Sequence, residues 1–420
     1  MAGPPYRRLG VMHATRDTGA DTPPGPADAP GSARRWLAVG GSTAADGRLA
    51  GEDAAREALG RRPDRKLLMV FCSARHDPKA VLAGIRSVSG ETPLIGCSAT
   101  AVIGPAGPTE DHGVVVIALG GPGFSVATSA ARGAAVNQRE AGATVAGSVA
   151  TLDDRPHQVL ILLTDGLCPG QEEILAGAYS VVGASVPLVG GSASPARDER
   201  STFHLCGDEV LTDAVVGAAI ASEAPFGVGL RHGWRKVGEP MIVTSSANGE
   251  VYTLDDQPAM AAYLQRLGGP PEAYADPLAF QRFAQTRPIG IRRRSGEEVR
   301  NVSSTKRLRE GWLRSTGEVP EGGVIWPMEG DEESVLQAAG DACRDAIDAL
   351  DGHPPLGLLA FDCESRGRLL GVEGKQHEVA RMVEQADGYP LAGLYTWGEI
   401  ARTRGINGFH NQTLVVLAVG

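Results

Sequence analysis

The chain has 420 residues and a formal net charge of −10, with 21% charged and only 5% aromatic residues. That length leaves room for two or three domains with ample core. The negative balance argues against a protein held to nucleic acid by phosphate contacts, and no apolar stretch approaches the roughly 18–20 residues that span a bilayer.

Residues 1–35 are rich in Pro, Gly and Ala and have no apolar h-region, so they read as a disordered tail rather than a secretory signal. The six cysteines, Cys72, Cys97, Cys168, Cys206, Cys343 and Cys363, are scattered without a CxxC pair, which fits free thiols in a reducing compartment. A cytoplasmic location is expected. The 56 glycines sit between compact Val/Leu/Ile runs, as turns of a folded α/β protein do.

Past the tail the chain repeats itself. Residues 67–72 (LLMVFC), 159–164 (VLILLT) and 356–361 (LGLLAF) are apolar runs of buried-strand type. Each enters a polar turn: SARHDP, DGLCPG or DCESRG. Helices are predicted at 79–88 and 171–182; after the third turn a short extended segment, RLLGVEG, precedes a helix at 376–386. Then come PLIGCSA (93–99), PLVGGSA (187–193) and PLAGLYT (390–396), each followed by a closing strand: VVVIAL, AVVGAAI or TLVVLAV. Lead-in strands and helices upstream are WLAVGGST with EDAAREAL, FSVAT with REAGATVAGSVA, and GVIWPM with DEESVLQAAGDACRDAIDAL.

The expected fold is therefore α/β (mixed α+β), built from β-α-β-α-β-β units over 36–119, 124–221 and 323–420 and forming two related layered domains. An insert at 225–322 begins with strands and passes into a helix near Pro258, a residue suited to a helix first turn.

Pro fixes the entry to each repeated strand, and Gly lets the backbone turn tightly or approach a ligand closely. Open α/β sheets place their crevices at such strand ends, which makes Gly96, Cys97, Ser98, Gly190, Gly191 and Ser192 candidate ligand contacts. Asp165 joins them, with turn stabilisation or helix capping as its alternative role. The third copy gathers the most polar groups: Cys363, Arg366, Tyr395, Thr396, Glu399, His410 and Asn411. Arg offers a planar fork to a carboxylate, Glu accepts an amine, and Asn or Thr fixes orientation, a set suited to a zwitterion. The competing reading pairs Arg366 with Glu399 structurally and gives Asn411 a turn to cap.

These motifs, in this order, resemble the FIST family of bacterial sensory proteins. KLLMVFCSA, PLIGCSAT, LILLTDGL, PLVGGSAS and AVVGAAIA resemble a FIST N-terminal domain, taken here as 36–230. HGWRKVGEPMIVT, FDCESRGRLLG, PLAGLYTWGEI and FHNQTLVVLAV resemble a FIST C-terminal domain, taken as 231–420. The resemblance implies a sensor of small molecules, with amino acids as proposed family ligands and some members regarded as haem-binding nitric oxide sensors. No kinase, cyclase or methyl-accepting segment is attached, so output passes through a downstream signalling protein; neither nucleic acid nor membrane insertion is expected. The first loop, GCSATAVIG, lacks the acid usual in the family, whereas the third keeps it as Glu399.

No cofactor is expected, and haem is the alternative. A haem needs an axial histidine, for which His204, His232 and His410 stand nearest to strands. A basic stretch, 282–309 with Arg292, Arg293 and Arg294, reads as a solvated strand face or a dock for an acidic partner. No GxSxG, Walker, HExxH or paired-Cys motif points to an enzyme. The remaining catalytic option is a Cys nucleophile, Cys97 or Cys363, paired in space with a base such as His410.

Overall fold

Short apolar strands that alternate their faces, followed by amphipathic helices, build three mixed sheets around one shared core. The computed structural model describes residues 35–196, 201–293, 296–303, 310–402 and 408–420. The expected tail lies outside them except for Arg35, whose guanidinium donates to Ser222 Oγ at 3.0 Å.

The first segment runs β1 (Trp36–Ser42), α1 (Gly47–Leu59), β2 (Arg65–Ser73), α2 (Pro78–Ser89), β3 (Leu94–Ala99), a hairpin β4 (Val102–Gly104) and β5 (Gly107–Thr109), and β6 (Val114–Gly120). The second runs β7 (Phe124–Arg132), α3 (Gln138–Ala146), β8 (His157–Asp165), α4 (Gln171–Val182), β9 (Leu188–Ala193), a hairpin β10 (His204–Cys206) and β11 (Glu209–Leu211), and β12 (Ala214–Ser222). Next comes β13 (Phe226–Arg231) and the insert: β14 (Arg235–Lys236), β15 (Met241–Ala247), β16 (Glu250–Leu254), β17 (Gln257–Pro258), α5 (Ala259–Arg266), α6 (Pro277–Ala284), β18 (Ile289–Arg293), β19 (Gly296–Arg300), β20 (Val302–Ser303), β21 (Leu313–Ser315) and β22 (Val324–Glu329). The chain ends with α7 (Glu332–Asp348), β23 (Gly357–Cys363), α8 (Glu364–Ala386), β24 (Leu391–Thr396), a hairpin β25 (Glu399–Arg402) and β26 (Phe409–His410), and β27 (Leu414–Val419).

Three sheets share one order of main strands: β1-β6-β2-β3, β7-β12-β8-β9 and β13-β27-β23-β24. Each contains a parallel pair, β2 with β3, β8 with β9, and β23 with β24. Each is extended by a hairpin from another segment: β10–β11 joins the first sheet, β25–β26 the second and β4–β5 the third. Period-two alternation decides which side chains go where. Phe71, Ile161 and Phe361 point into the shared core, while Val70, Leu162 and Ala360 pack against the helices outside.

The helix ends follow from local chemistry. Asp77 accepts from Lys79 N at 3.0 Å and Pro78 occupies the first turn of α2, while Asp331 and Ser334 form a reciprocal capping box on α7.

Two expectations change. The first strand of the third sheet is β13, paired with β27 from Phe226↔Val419 to Arg231↔Leu414, and not GVIWPM, so the third unit does not run continuously from 323 to 420. GVIWPM forms β22 inside a fourth, nine-stranded sheet built from the insert. Closeness in sequence to α7 suggested otherwise, but strands pair by non-local packing. Second, RLLGVEG is helical; α8 breaks only at Gly371, whose φ of +66° suits glycine. Pro258 stands at the N-cap of α5.

Candidate functional site

The ends of the three parallel pairs meet, and they meet by direct contact. Ser194 N donates to Ser98 O at 3.2 Å and Ser194 Oγ to Tyr395 O at 2.8 Å, while Thr100 N donates to Ser194 Oγ at 2.7 Å. Trp397 N donates to Ser192 O at 3.1 Å, and Ser192 N to Gly398 O at 2.8 Å. Gly191 serves this close approach, since a Cβ there would fall 2.5 Å from the Thr396 methyl; within the parallel pairs themselves, a Cβ on Gly96 would fall 2.4 Å from Val70 O and one on Gly190 1.9 Å from Leu162 O.

At the first corner Cys97 lies in the shared core and Ser98 Oγ accepts from Phe203 N at 3.2 Å. The residue opposite Cys97 is His204 rather than His410, and both are fully buried. Residues 197–200 lie outside the described residues.

The third corner is filled by its own side chains. Arg366 is completely buried and donates to Asp362 at 2.9 Å, Glu378 at 2.6 Å, His232 O at 2.9 Å and Val335 O at 3.3 Å. Tyr395 hydroxyl donates to Glu378 at 3.2 Å, and Lys375 Nζ stands 4.7 Å above its ring. Burial first, then the neighbouring Glu378, pushes the Asp362 carboxyl well above its ordinary range. Arg366 is thus a structural ion partner, but of Asp362 and Glu378 rather than Glu399. Glu399 instead accepts from Thr396 Oγ1 at 2.7 Å and from Thr413 N and Oγ1 at 3.2 and 2.9 Å, and burial raises it to about 8. Cys363 Sγ accepts from Gln412 N at 3.2 Å, Asn411 is buried, and His410 is half-buried.

The second corner is open. A cleft of about 260 Å³ lies beyond the ends of β8 and β9, where Ser192 and the turn 166–172 face loops of the insert sheet and the ring of Trp397. Its floor is fixed internally: Gln171 accepts from Thr164 Oγ1 at 2.8 Å and donates to Asp165 O and Cys168 O. Asp165 holds the turn, accepting from Leu167 N at 2.9 Å and Thr202 Oγ1 at 2.6 Å. Helix α4 starts here at Gly170 (φ +70°) without a side-chain cap.

The closed end is built around Arg300, which is 1% exposed. It donates to Glu298 at 2.8 Å, Phe409 O at 3.1 Å and Glu318 O at 3.3 Å, and lies 3.6 Å from Glu172 Oε1. The same Glu172 oxygen accepts from Glu318 N at 2.9 Å. Gly317 (φ +95°) must be glycine, since a Cβ would fall 2.8 Å from Glu172 Oε1 and 2.9 Å from Arg300 Nε. Glu172, Arg314, Ser315, Glu318 and Trp397 all line the cleft.

Of the residues singled out in the sequence, Ser192 lines this cleft and Asp165 holds the turn at its floor. The third-corner set is brought together but sealed. Glu172, Arg314, Ser315, Glu318, Trp397 and the Arg300 behind them were missed, because the insert that supplies four of them is far away in sequence. The basic stretch held a partial signal. Instead of forming one solvated face, it sends Arg300 into the interior and pairs Arg293 with Glu298 at 2.5 Å; Arg292 is exposed and Arg294 lies outside the described residues.

Of the three candidate haem ligands, His204 is fully buried, which lowers its pKa, His232 Nδ1 accepts from Trp234 N at 2.9 Å with burial and Arg366 pushing it down to about 4, and His410 Nε2 lies 3.0 Å from Ala401 O. None of the three lines the clefts of about 260, 360, 540 or 550 Å³. Among the described residues no cluster of three or more His, Cys, Asp or Glu is arranged to hold a metal, and no helix is long and apolar enough to cross a membrane.

The chain is similar along 90% of its length to the uncharacterized protein Rv0628c of Mycobacterium tuberculosis, with 28% identity over 395 residues and 97% of that protein covered. It is 27% identical over 398 residues to the uncharacterized protein Mb0898c of Mycobacterium bovis, covering 90% of this chain and 97% of that one. It is 23% identical over 316 residues to the uncharacterized protein MJ1623 of Methanocaldococcus jannaschii, covering 70% and 60%. A comparison with PurLQS from Thermotoga maritima gives a TM-score of 0.23 at 10% identity, covering 91% of this chain and 72% of that one, and carries no argument. The FIST N domain model matches residues 66–257 and the FIST C domain model residues 259–402, so the chain belongs to the FIST family of sensory, signal-transduction domains.

Proposed function

We propose that the chain is a cytoplasmic sensory module, not an enzyme, and that its ligand is a small polar metabolite, with amino acids the first candidates. The observation that carries this reading is the second-corner cleft, in which two acids, one arginine and an aromatic ring converge from widely separated segments. Its volume of about 260 Å³ is below the roughly 300–1,000 Å³ of drug-sized sites and suits a small molecule. Arg314 offers a fork to a carboxylate, while Glu172 and Glu318 offer an ammonium partner. The cleft wall joins α4 to the insert, so occupancy bears on how that sheet is held against the second sheet, and a downstream protein reads the difference.

The binding reading is favoured over a Cys nucleophile because burial raises the pKa of all six thiols, Cys97 and Cys363 among them. Haem is set aside on the fit of the three histidines. A thermal-shift panel of amino acids and organic acids tests the proposal: a ligand at about 100 times its Kd stabilises by roughly 2.7 kcal/mol. Glu172→Gln and Arg314→Ala should remove that shift. A ligand whose shift survives both substitutions binds elsewhere.

A further inference from the structure

The first corner sets a thiol against an imidazole that has no partner. Cys97 on β3 and His204 on β10 stand directly opposite each other in an antiparallel pair. Such residues project from one face of the sheet, with Cβ atoms about 4.5–5.5 Å apart. That face is the inner one, since Cys97 and Leu211, the residue across from His204 on its other side, both belong to the shared core. Both side chains are 0% exposed, and neither ring nitrogen of His204 makes a hydrogen bond. A buried nitrogen left unbonded costs free energy that an added partner recovers. Metal bonds to thiolate and imidazole are about 2.0–2.3 Å long, so one ion bridges side chains at this spacing.

We propose that Cys97 and His204 form a two-donor site for a soft monovalent cation, copper(I), separate from the cleft and its ligand. On loading, the Cys97 S–H bond breaks and its proton passes to solvent. A sulfur–copper bond takes its place, and the lone pair of one His204 ring nitrogen fills the second position; no electron changes hands. Charge selects the ion. Thiolate and copper(I) cancel and the imidazole is neutral, so the loaded site brings no net charge into the core, whereas a divalent ion would leave a positive charge unpaired there. Donor number points the same way: structural zinc takes four protein ligands and calcium or magnesium a shell of oxygens, while thiolate favours copper(I). Burial lowers His204 against the Asp165 carboxylate and the Thr164 carbonyl, which keeps the ring in its ligating neutral form. Burial, with Cys72 close by, raises the Cys97 thiol, so the ion has to displace the proton. Asp165 also marks the way in: it holds the turn at the cleft floor through Leu167 N and Thr202 Oγ1, and release of those two bonds opens a path toward His204.

The test uses the full chain without oxygen, given excess copper(I) as its acetonitrile complex with ascorbate, either by long incubation of the native protein or by refolding in its presence. Bicinchoninate then strips copper from exposed thiols, and the metal that stays is counted by atomic absorption. A single equivalent should remain, and Cys206→Ala, which removes the half-buried thiol, should keep it. Cys97→Ala and His204→Leu should each lose it. His204→Leu leaves no hydrogen-bond partner behind, so its thermal midpoint should match or exceed that of the native protein, which separates a lost site from a lost fold. Because one proton leaves for each ion bound, affinity should rise by about tenfold per pH unit near neutrality. Copper retained by Cys97→Ala, or no chelator-resistant copper in the native chain by either route of loading, overturns the inference. Neither result bears on the cleft, whose ligand is followed by the separate metabolite panel.

Discussion

The backbone N–H of Glu318 donates to Glu172 Oε1 at 2.9 Å, which makes the loop after β21 and the first turn of α4 a single wall. Glu172→Ala removes that acceptor and should cost about 1.5–3 kcal/mol of stability, the usual range for a lost hydrogen bond to a charged group. Glu172→Gln keeps an acceptor oxygen and should cost less. Urea unfolding midpoints of the two variants check this; equal losses would mean the bond contributes nothing.

Arg366 holds two buried acids. Arg366→Ala leaves Asp362 and Glu378 without their guanidinium and should destabilise the fold by about 3–5 kcal/mol. Arg366→Lys should also be costly, because one ammonium cannot make four contacts to Asp362, Glu378, His232 O and Val335 O at once. A joint change of all three charged residues to Met, Asn and Gln should recover part of the loss. Chemical denaturation of the series decides the matter, and a mild Arg366→Ala phenotype would show that the acids are already neutral.

Glu399 predicts a pH dependence. Its folded pKa of about 8 lies above the unfolded value of about 4.3, so the native state keeps a proton that the unfolded state releases. Its contribution is fully present below the unfolded pKa and is lost as pH rises to about 8, at up to about 1.4 kcal/mol per unit within that window. Glu399→Gln should remove one proton's worth of slope between pH 5 and pH 8. The check is unfolding free energy against pH for both proteins; parallel curves would refute the assignment.

Thiol labelling gives a direct reading of burial. Cys206 is half-buried and the other five cysteines are buried, and burial pushes Cys72, Cys168 and Cys343 up to about 12. Native protein at about pH 8 should therefore label quickly at Cys206 at most, with the remaining thiols reacting only on unfolding. Rapid native labelling at Cys97 or Cys363 would revive the nucleophile reading.

Much of the scaffold was legible because it is written locally. The apolar runs LLMVFC, VLILLT and LGLLAF marked buried strands, and the polar turns after the first two led into helices where α2 and α4 stand. Gly96 and Gly190 let their strands close against Val70 and Leu162 of the paired strands, neighbours that sequence spacing does not name. The identity of the family also followed from motif order alone.

Which corner stays open was not written locally. Polar residues after β23 and β24 suggested a site, but α8 turns Arg366 inward onto Asp362 and Glu378, and the corner closes. After β8 the chain supplies the floor and Glu172, and the rest of the wall comes from the distant insert, by way of Arg300, Ser315 and Glu318. Sequence periodicity reports how each strand or helix divides water from core, since that is settled within a few residues. A cleft depends on which distant side chains fail to fill a space, and only the packed chain determines that.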